Sequence, residues 1–90
     1  MLVEWSDEAQ IDLVDIQTYI EQFNPNASLA LRKAIESGVE SLPLAPFAFP
    51  LGRVAGTREY VVHPNYIVVY RVGMTAIEVL RVLHARRKYP

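Results

Sequence analysis

The chain has no cysteine. A disulfide framework and a thiolate metal site are therefore both excluded. It has no apolar run near the roughly 18 residues that a membrane span requires. Its first ten residues, MLVEWSDEAQ, turn acidic by the seventh and lack the basic-then-apolar order of a signal peptide. Together these absences point to the cytoplasm. There is no internal repeat and no low-complexity stretch. Two histidines, His63 and His84, sit at the ends of separate strand-like segments with no carboxylate pattern nearby. That arrangement assigns neither a metal site nor a cofactor.

What is present is apolar: 51% of the residues are hydrophobic, ample for a globular core and too many for a disordered chain. Ninety residues make one domain, 1–90. A chain of that size buries roughly 60–65% of its unfolded surface, enough for one modest core. The net charge of −1 conceals a division. Residues 1–52 set Arg32 and Lys33 against eight acids, a balance of −6. Residues 53–90 set seven basic residues against Glu59 and Glu78, a balance of +5. The split suggests a basic working face in the second half, or two halves that neutralise each other in the fold.

LVEW, 2–5, reads as a short strand. Ser6 is a good helix N-cap, and Asp7 and Glu8 then lie in the first turn, where the helix dipole favours negative charge. Ala9, Leu13, Ile16, Ile20 and Phe23 form one stripe at helical spacing, predicting a helix over about 7–22. Ile11 and Val14 lie off the stripe, as a partner surface or as part of a broad buried face. Asn24-Pro25-Asn26 breaks this helix and starts a second over about 26–42, with Ala27, Leu31, Ile35, Val39 and Leu42 on one face. Gly38 inside it implies a close approach by helix 1 or a sheet. PLAPFAFPLG, 43–52, has too many prolines for a helix. Its Leu44, Phe47, Phe49 and Leu51 read as an apolar loop packed across the core.

The remainder is strand-like: 57–63, then Pro64-Asn65, then 66–72, then Gly73-Met74-Thr75, then 76–83. Residues 66–72 are apolar on both faces and read as a central strand. The predicted fold is α+β: an N-terminal helical hairpin packed on one face of a three- to four-stranded, mainly antiparallel sheet. LVEW supplies the fourth strand at an edge, and the far face of the sheet is left partly open for basic residues.

These segments resemble those of the ParE/RelE-type toxins of bacterial toxin–antitoxin modules. EWSDEAQIDLVDIQTYI is similar to their first helix. GTREYVVHPNYIVVYRV is similar to their arginine strand, turn and Y-x-[IV]-x-Y-R-[IV] strand, and IEVLRVLHARRKYP to their final strand. The resemblance covers nearly the whole chain in the family's order. It implies a cytoplasmic toxin held inactive by a cognate antitoxin, with DNA met only indirectly through that antitoxin. Within the superfamily, RelE-like members cut mRNA on the ribosome, while ParE-like members poison DNA gyrase without chemistry.

The ending LHARRKYP bears on that choice. Metal-free RNA cleavage needs a base for the 2′-OH, an acid for the leaving oxygen, and fixed cations for the phosphorane. If the chain is a nuclease, His84 is the base, Tyr89 the acid and Arg87 a cation. Tyrosine at its ordinary pKa of about 10 needs help in that role. The nuclease branch, however, places an arginine where this chain has Ile67, and isoleucine cannot hold a phosphate. It places another where the chain has Ala85, although a frame shift of one or two residues brings Arg86 or Arg87 back. VLHARRKY instead resembles the ending common among ParE-like members. The reading is therefore a non-catalytic toxin that contacts its target through Arg58, Arg81, Arg86, Arg87 and Lys88. Ile11, Val14, Arg58 and Arg71 are expected against the antitoxin. Arg71 alternatively pairs with Glu78 across the hairpin, and Arg58 with an acid of helix 1. Tyr66 and Tyr70 share one strand face and are read as core residues. An inactive relative that only binds partners is the remaining alternative.

Overall fold

A computed structural model describes all of residues 1–90. The elements run β1 (Leu2–Trp5), α1 (Asp7–Glu21), α2 (Pro25–Glu40), a 3-10 turn (Leu42–Leu44), β2 (Arg58–His63), β3 (Tyr66–Val72) and β4 (Ala76–His84). The four strands form one sheet in the order β1-β4-β3-β2. The β2, β3 and β4 strands are antiparallel neighbours, and β1 joins β4 in parallel at the edge. Both helices pack on one face, as the sequence predicts.

Each helix begins where its capping residue satisfies orphan backbone donors. Ser6 Oγ accepts from Ala9 N at 3.0 Å, and Asn24 Oδ1 accepts from Ala27 N at 3.0 Å. Pro25 follows at the first helical position, where its missing N–H costs nothing. Ser6 does a second job. The β3–β4 ladder shifts register between Val69 and Tyr70, leaving Leu80 as the extra residue. The Leu80 carbonyl accepts from the Ser6 hydroxyl at 2.9 Å, which ties the head of α1 to this bulge.

The core comprises Ala9 and Leu13 of α1, Ile35 and Val39 of α2, Leu42, Val68 and Tyr70 of β3, and Ile77, Val79 and Val82 of β4. Tyr70 is wholly enclosed, and its hydroxyl donates to Pro46 O at 2.7 Å. Gly38 faces β2. A Cβ there would stand 2.5 Å from Val62 Cγ2 and 3.0 Å from the Tyr60 hydroxyl. The close approach implied by this glycine is therefore to the sheet.

Four expectations need correction. The α1 stripe stops before Phe23, which lies beyond the helix and is 71% exposed, edge-on to Tyr19. On α2, Ser28 is buried and Ala27 exposed. The Ser28 hydroxyl donates to Gln17 O at 2.8 Å, so a small polar residue closes the helix hairpin where an apolar one was expected. The proline-rich stretch does hold a short 3-10 turn, because Pro43 sits within the turn's first two positions, where no N–H is needed. Of the loop's four large apolar residues only Phe49 packs, stacked on Tyr60 with ring centres 4.1 Å apart. Leu44, Phe47 and Leu51 are exposed.

The far face of the sheet is also less open than expected. Ile67, Val69 and Leu83 alternate with core residues along their strands, so they point away from the helices. They are nonetheless buried. Glu59 stands opposite Val69 on this face, and the Arg53 that pairs with it also holds Tyr89 near the chain's end.

Candidate functional site

The seven cations of the basic half meet different fates. Arg53 pairs with Glu59 at 3.1 Å, and Arg71 pairs with Glu78 at 3.1 Å across the hairpin register. Each arginine holds its carboxylate below the usual glutamate range by hydrogen bonding to it. Arg81 stands opposite Val69, but its guanidinium reaches Asp12 of α1 at 2.8 and 3.0 Å. Glu8 lies 3.6 Å away on the same side. Asp12 also accepts from Val82 N at 2.9 Å. This N–H lies on the stretch of β4 beyond Val79, where β1 has ended. One aspartate thus caps an open strand edge and neutralises a strand arginine. Arg58 meets no acid of helix 1. It donates to Phe49 O at 2.7 Å and Phe47 O at 3.4 Å, with its guanidinium 5.1 Å from the centre of the Phe47 ring. Arg58 therefore organises the loop.

Arg86, Arg87 and Lys88 remain, consecutive and without an ion pair. Their backbone is fixed on both sides. Before them, Ala85 N donates to Asn65 O at 2.8 Å, Arg86 N donates to His84 Nδ1 at 3.1 Å, and Arg87 N donates to His84 O at 2.9 Å. After them, the Tyr89 ring lies 5.8 Å from the Arg53 guanidinium, and Tyr89 O accepts from Arg53 Nη1 at 3.4 Å. The three cations form an arch held at each end.

The candidate nuclease residues do not converge. His84 is exposed, edge-on to Tyr66 with ring centres 5.4 Å apart. Its Nδ1 accepts a backbone N–H, so the neutral ring carries its proton on Nε2. A general base needs a free lone pair, and this ring turns a donor outward instead. His84 and Arg87 line a cleft of about 290 Å³ together with Asp12, Asp15, Tyr19 and Tyr66. Tyr89 is not among the lining residues; it is stacked at Arg53. Ile67 is buried opposite Leu83. No three His, Asp or Glu side chains come together in a way that could hold a metal ion.

Ile11 and Val14 are exposed on α1. Val14 borders a shallow depression with Trp5, Gln10, Leu13, Arg32 and Glu36. Three participants went unnoticed in the sequence. Asp12 and Tyr19 look like ordinary polar-face residues of a helix. Arg53 lies in a turn, and only its six-residue spacing from Glu59 hints at a pair.

The family model for the ParE toxin of the type II toxin–antitoxin system parDE matches residues 3–89. Among curated proteins, Y4kP, a candidate toxin of Sinorhizobium fredii, is 33% identical over 98% of this chain and 92% of its own length. The toxin RelE2 of Caulobacter vibrioides is 34% identical over 94% of this chain and 96% of its own. Among solved structures, a chain of the chromosomal ParDE system from P. aeruginosa superposes with a TM-score of 0.84 at 22% identity, covering 93% of this chain and 95% of that one. YafQ from E. coli superposes at 0.65 with 15% identity, covering 92% and 91%. These two likenesses establish the fold, a pair of helices on a mostly antiparallel four-stranded sheet. No helix here is long and apolar enough to cross a membrane. The family match over almost the whole length, with toxins a third identical, has one consequence: the chain belongs to the ParE toxin family of type II toxin–antitoxin systems.

Proposed function

We propose that this toxin arrests growth by binding DNA gyrase, that it does so without catalysis, and that its cognate antitoxin neutralises it. The observation that carries this reading is the dispersal of the candidate chemistry. A metal-free nuclease needs base, acid and cations around one phosphate. Here His84 and Arg87 border one cleft, while Tyr89 is stacked at Arg53. His84 presents Nε2–H, and the side chain at Ile67 is a hydrocarbon buried on the far face of the sheet. Three of the other strand-half arginines are already matched to carboxylates. The unmatched cations, Arg86 to Lys88, suit recognition of an acidic surface better than a reaction. Antitoxin docking falls to the exposed Ile11 and Val14 on α1.

Induction in bacteria without antitoxin, with a DNA-damage reporter and primer extension on abundant messages, tests the proposal. The reporter should rise while messages stay whole. Messages cut at codon-defined positions with a silent reporter would replace this reading with that of a ribosome-dependent nuclease. Harmless accumulation of folded protein would replace it with that of a binding-only relative.

A further inference from the structure

We infer that Arg53 is a positioning residue for target recognition: it fastens the chain's end so that Arg86, Arg87 and Lys88 are presented together to an acidic protein surface on gyrase. The inference rests on the gyrase reading above and adds to it a mechanism for the tail.

The geometry runs through one relay. Glu59, opposite Val69 on β2, accepts from Arg53 N at 2.9 Å and from its guanidinium Nε and Nη2, each at 3.1 Å. Backbone and side chain of Arg53 are therefore both set by one carboxylate. The guanidinium so oriented holds the Tyr89 ring and its carbonyl. Tyr89 is the far foot of the arch; Asn65 and His84 are the near one. A tail fastened only at its near foot would hold three long cationic side chains in many arrangements. Ordering them at the moment of binding opposes association, and fixing the backbone beforehand removes part of that ordering cost.

The partner's chemistry follows from what surrounds the arch. Arg87 borders a cleft that also holds Asp15, which has no ion pair, beside the Arg81-paired Asp12, and the whole chain carries −1. A phosphate backbone would bring those acids against a polyanion, and DNA affinity grows with the number of phosphates neutralised. Three cations beside an acid-bearing helix fit a small cluster of Asp or Glu side chains on a protein.

The test compares wild type with Arg53→Ala, Tyr89→Ala and Tyr89→Phe. Two readouts are used: tryptic release of the C-terminal peptides by mass spectrometry, and inhibition of supercoiling by gyrase holoenzyme. Arg53→Ala and Tyr89→Ala should speed cleavage after Arg86, Arg87 and Lys88 several-fold and weaken inhibition about tenfold; melting should be unchanged in Tyr89→Ala and slightly lowered in Arg53→Ala, which also loses the Glu59 pair. Tyr89→Phe keeps ring and carbonyl and should match wild type in both. Arg53→Ala with a protected tail, or with wild-type potency, overturns the positioning role. Tight binding of the wild-type toxin to DNA alone overturns the choice of partner. Wild-type toxin that leaves gyrase untouched sinks the functional reading instead, a result distinct from either.

Discussion

Replacing Asp12 with alanine should be among the most damaging single changes outside the hydrophobic core. Its carboxylate accepts from Arg81 Nε, Arg81 Nη2 and Val82 N, at 2.8, 3.0 and 2.9 Å. The aspartate side chain is only 12% exposed and that of Arg81 23%. Breaking a fully buried pair by removing one partner costs about 3–5 kcal/mol. Here the remaining exposure and the nearby Glu8 soften the loss, while Val82 loses the acceptor of its N–H, worth about 1 kcal/mol or more. The sum is about 2–3 kcal/mol, against a total of roughly 5–13 kcal/mol for a chain this long. That corresponds to a fall in Tm of about 10–20 °C. Asp12→Asn keeps an acceptor but loses the charge, and should cost about 1–2 kcal/mol. Urea denaturation of both variants, with Arg81→Ala and the double mutant completing a cycle, measures each figure. An Asp12→Ala protein within 0.5 kcal/mol of wild type, on the order of an ordinary surface change, would refute the assignment of Asp12 as the cap of β4.

Gly38→Ala forces a methyl against Val62 and Tyr60, and the stiff, branched valine cannot swing away. A net loss of about 1–2 kcal/mol is expected by thermal melting, despite alanine's better helix propensity. Leu44→Ser and Leu51→Ser should change stability by less than about 0.5 kcal/mol, because both side chains are exposed. Glu59 is held below the ordinary glutamate value of about 4.3 by Arg53. Its contribution is therefore complete above that pH and disappears as pH falls through the lower folded value. The Tyr89 ring resonances should shift in that acidic window in wild type and show no such titration in Glu59→Gln. His84→Ala loses only the Nδ1 contact to Arg86 N and keeps the backbone contacts of the near foot, so it should weaken growth arrest on induction without abolishing it; complete loss of toxicity in a folded His84→Ala protein contradicts the absence of a proton-transfer role.

Much of the fold was legible because local signals agreed. Ser6 with Asp7 and Glu8, and Asn24 with Pro25, are start signals that work through nearby backbone groups, and both helices begin where those residues place them. The unbroken apolar run of β3 announced a strand buried on two faces, and β3 lies inside the sheet with β4. The errors arose where distant contacts decide. Nothing local distinguishes Phe49, which finds Tyr60 to stack on, from Phe47, which remains in solvent. Periodicity favoured Ala27 over Ser28, but the helix crossing needed a small side chain able to reach Gln17 O. At the candidate site, the Arg71–Glu78 pair could be expected from strand register, whereas Arg81 passes its own strand neighbours to reach an acid 69 positions away in sequence. The arch over residues 86–88 depends on Arg53, 36 positions from Tyr89, and no spacing rule connects them.

Plasmid supercoiling by purified gyrase in the presence of purified toxin reads out whether a non-catalytic surface of the toxin acts on the enzyme. At toxin concentrations comparable to the enzyme, supercoiling should stop and cleaved-DNA complexes should accumulate. Undiminished supercoiling at a large molar excess of folded toxin would contradict the account.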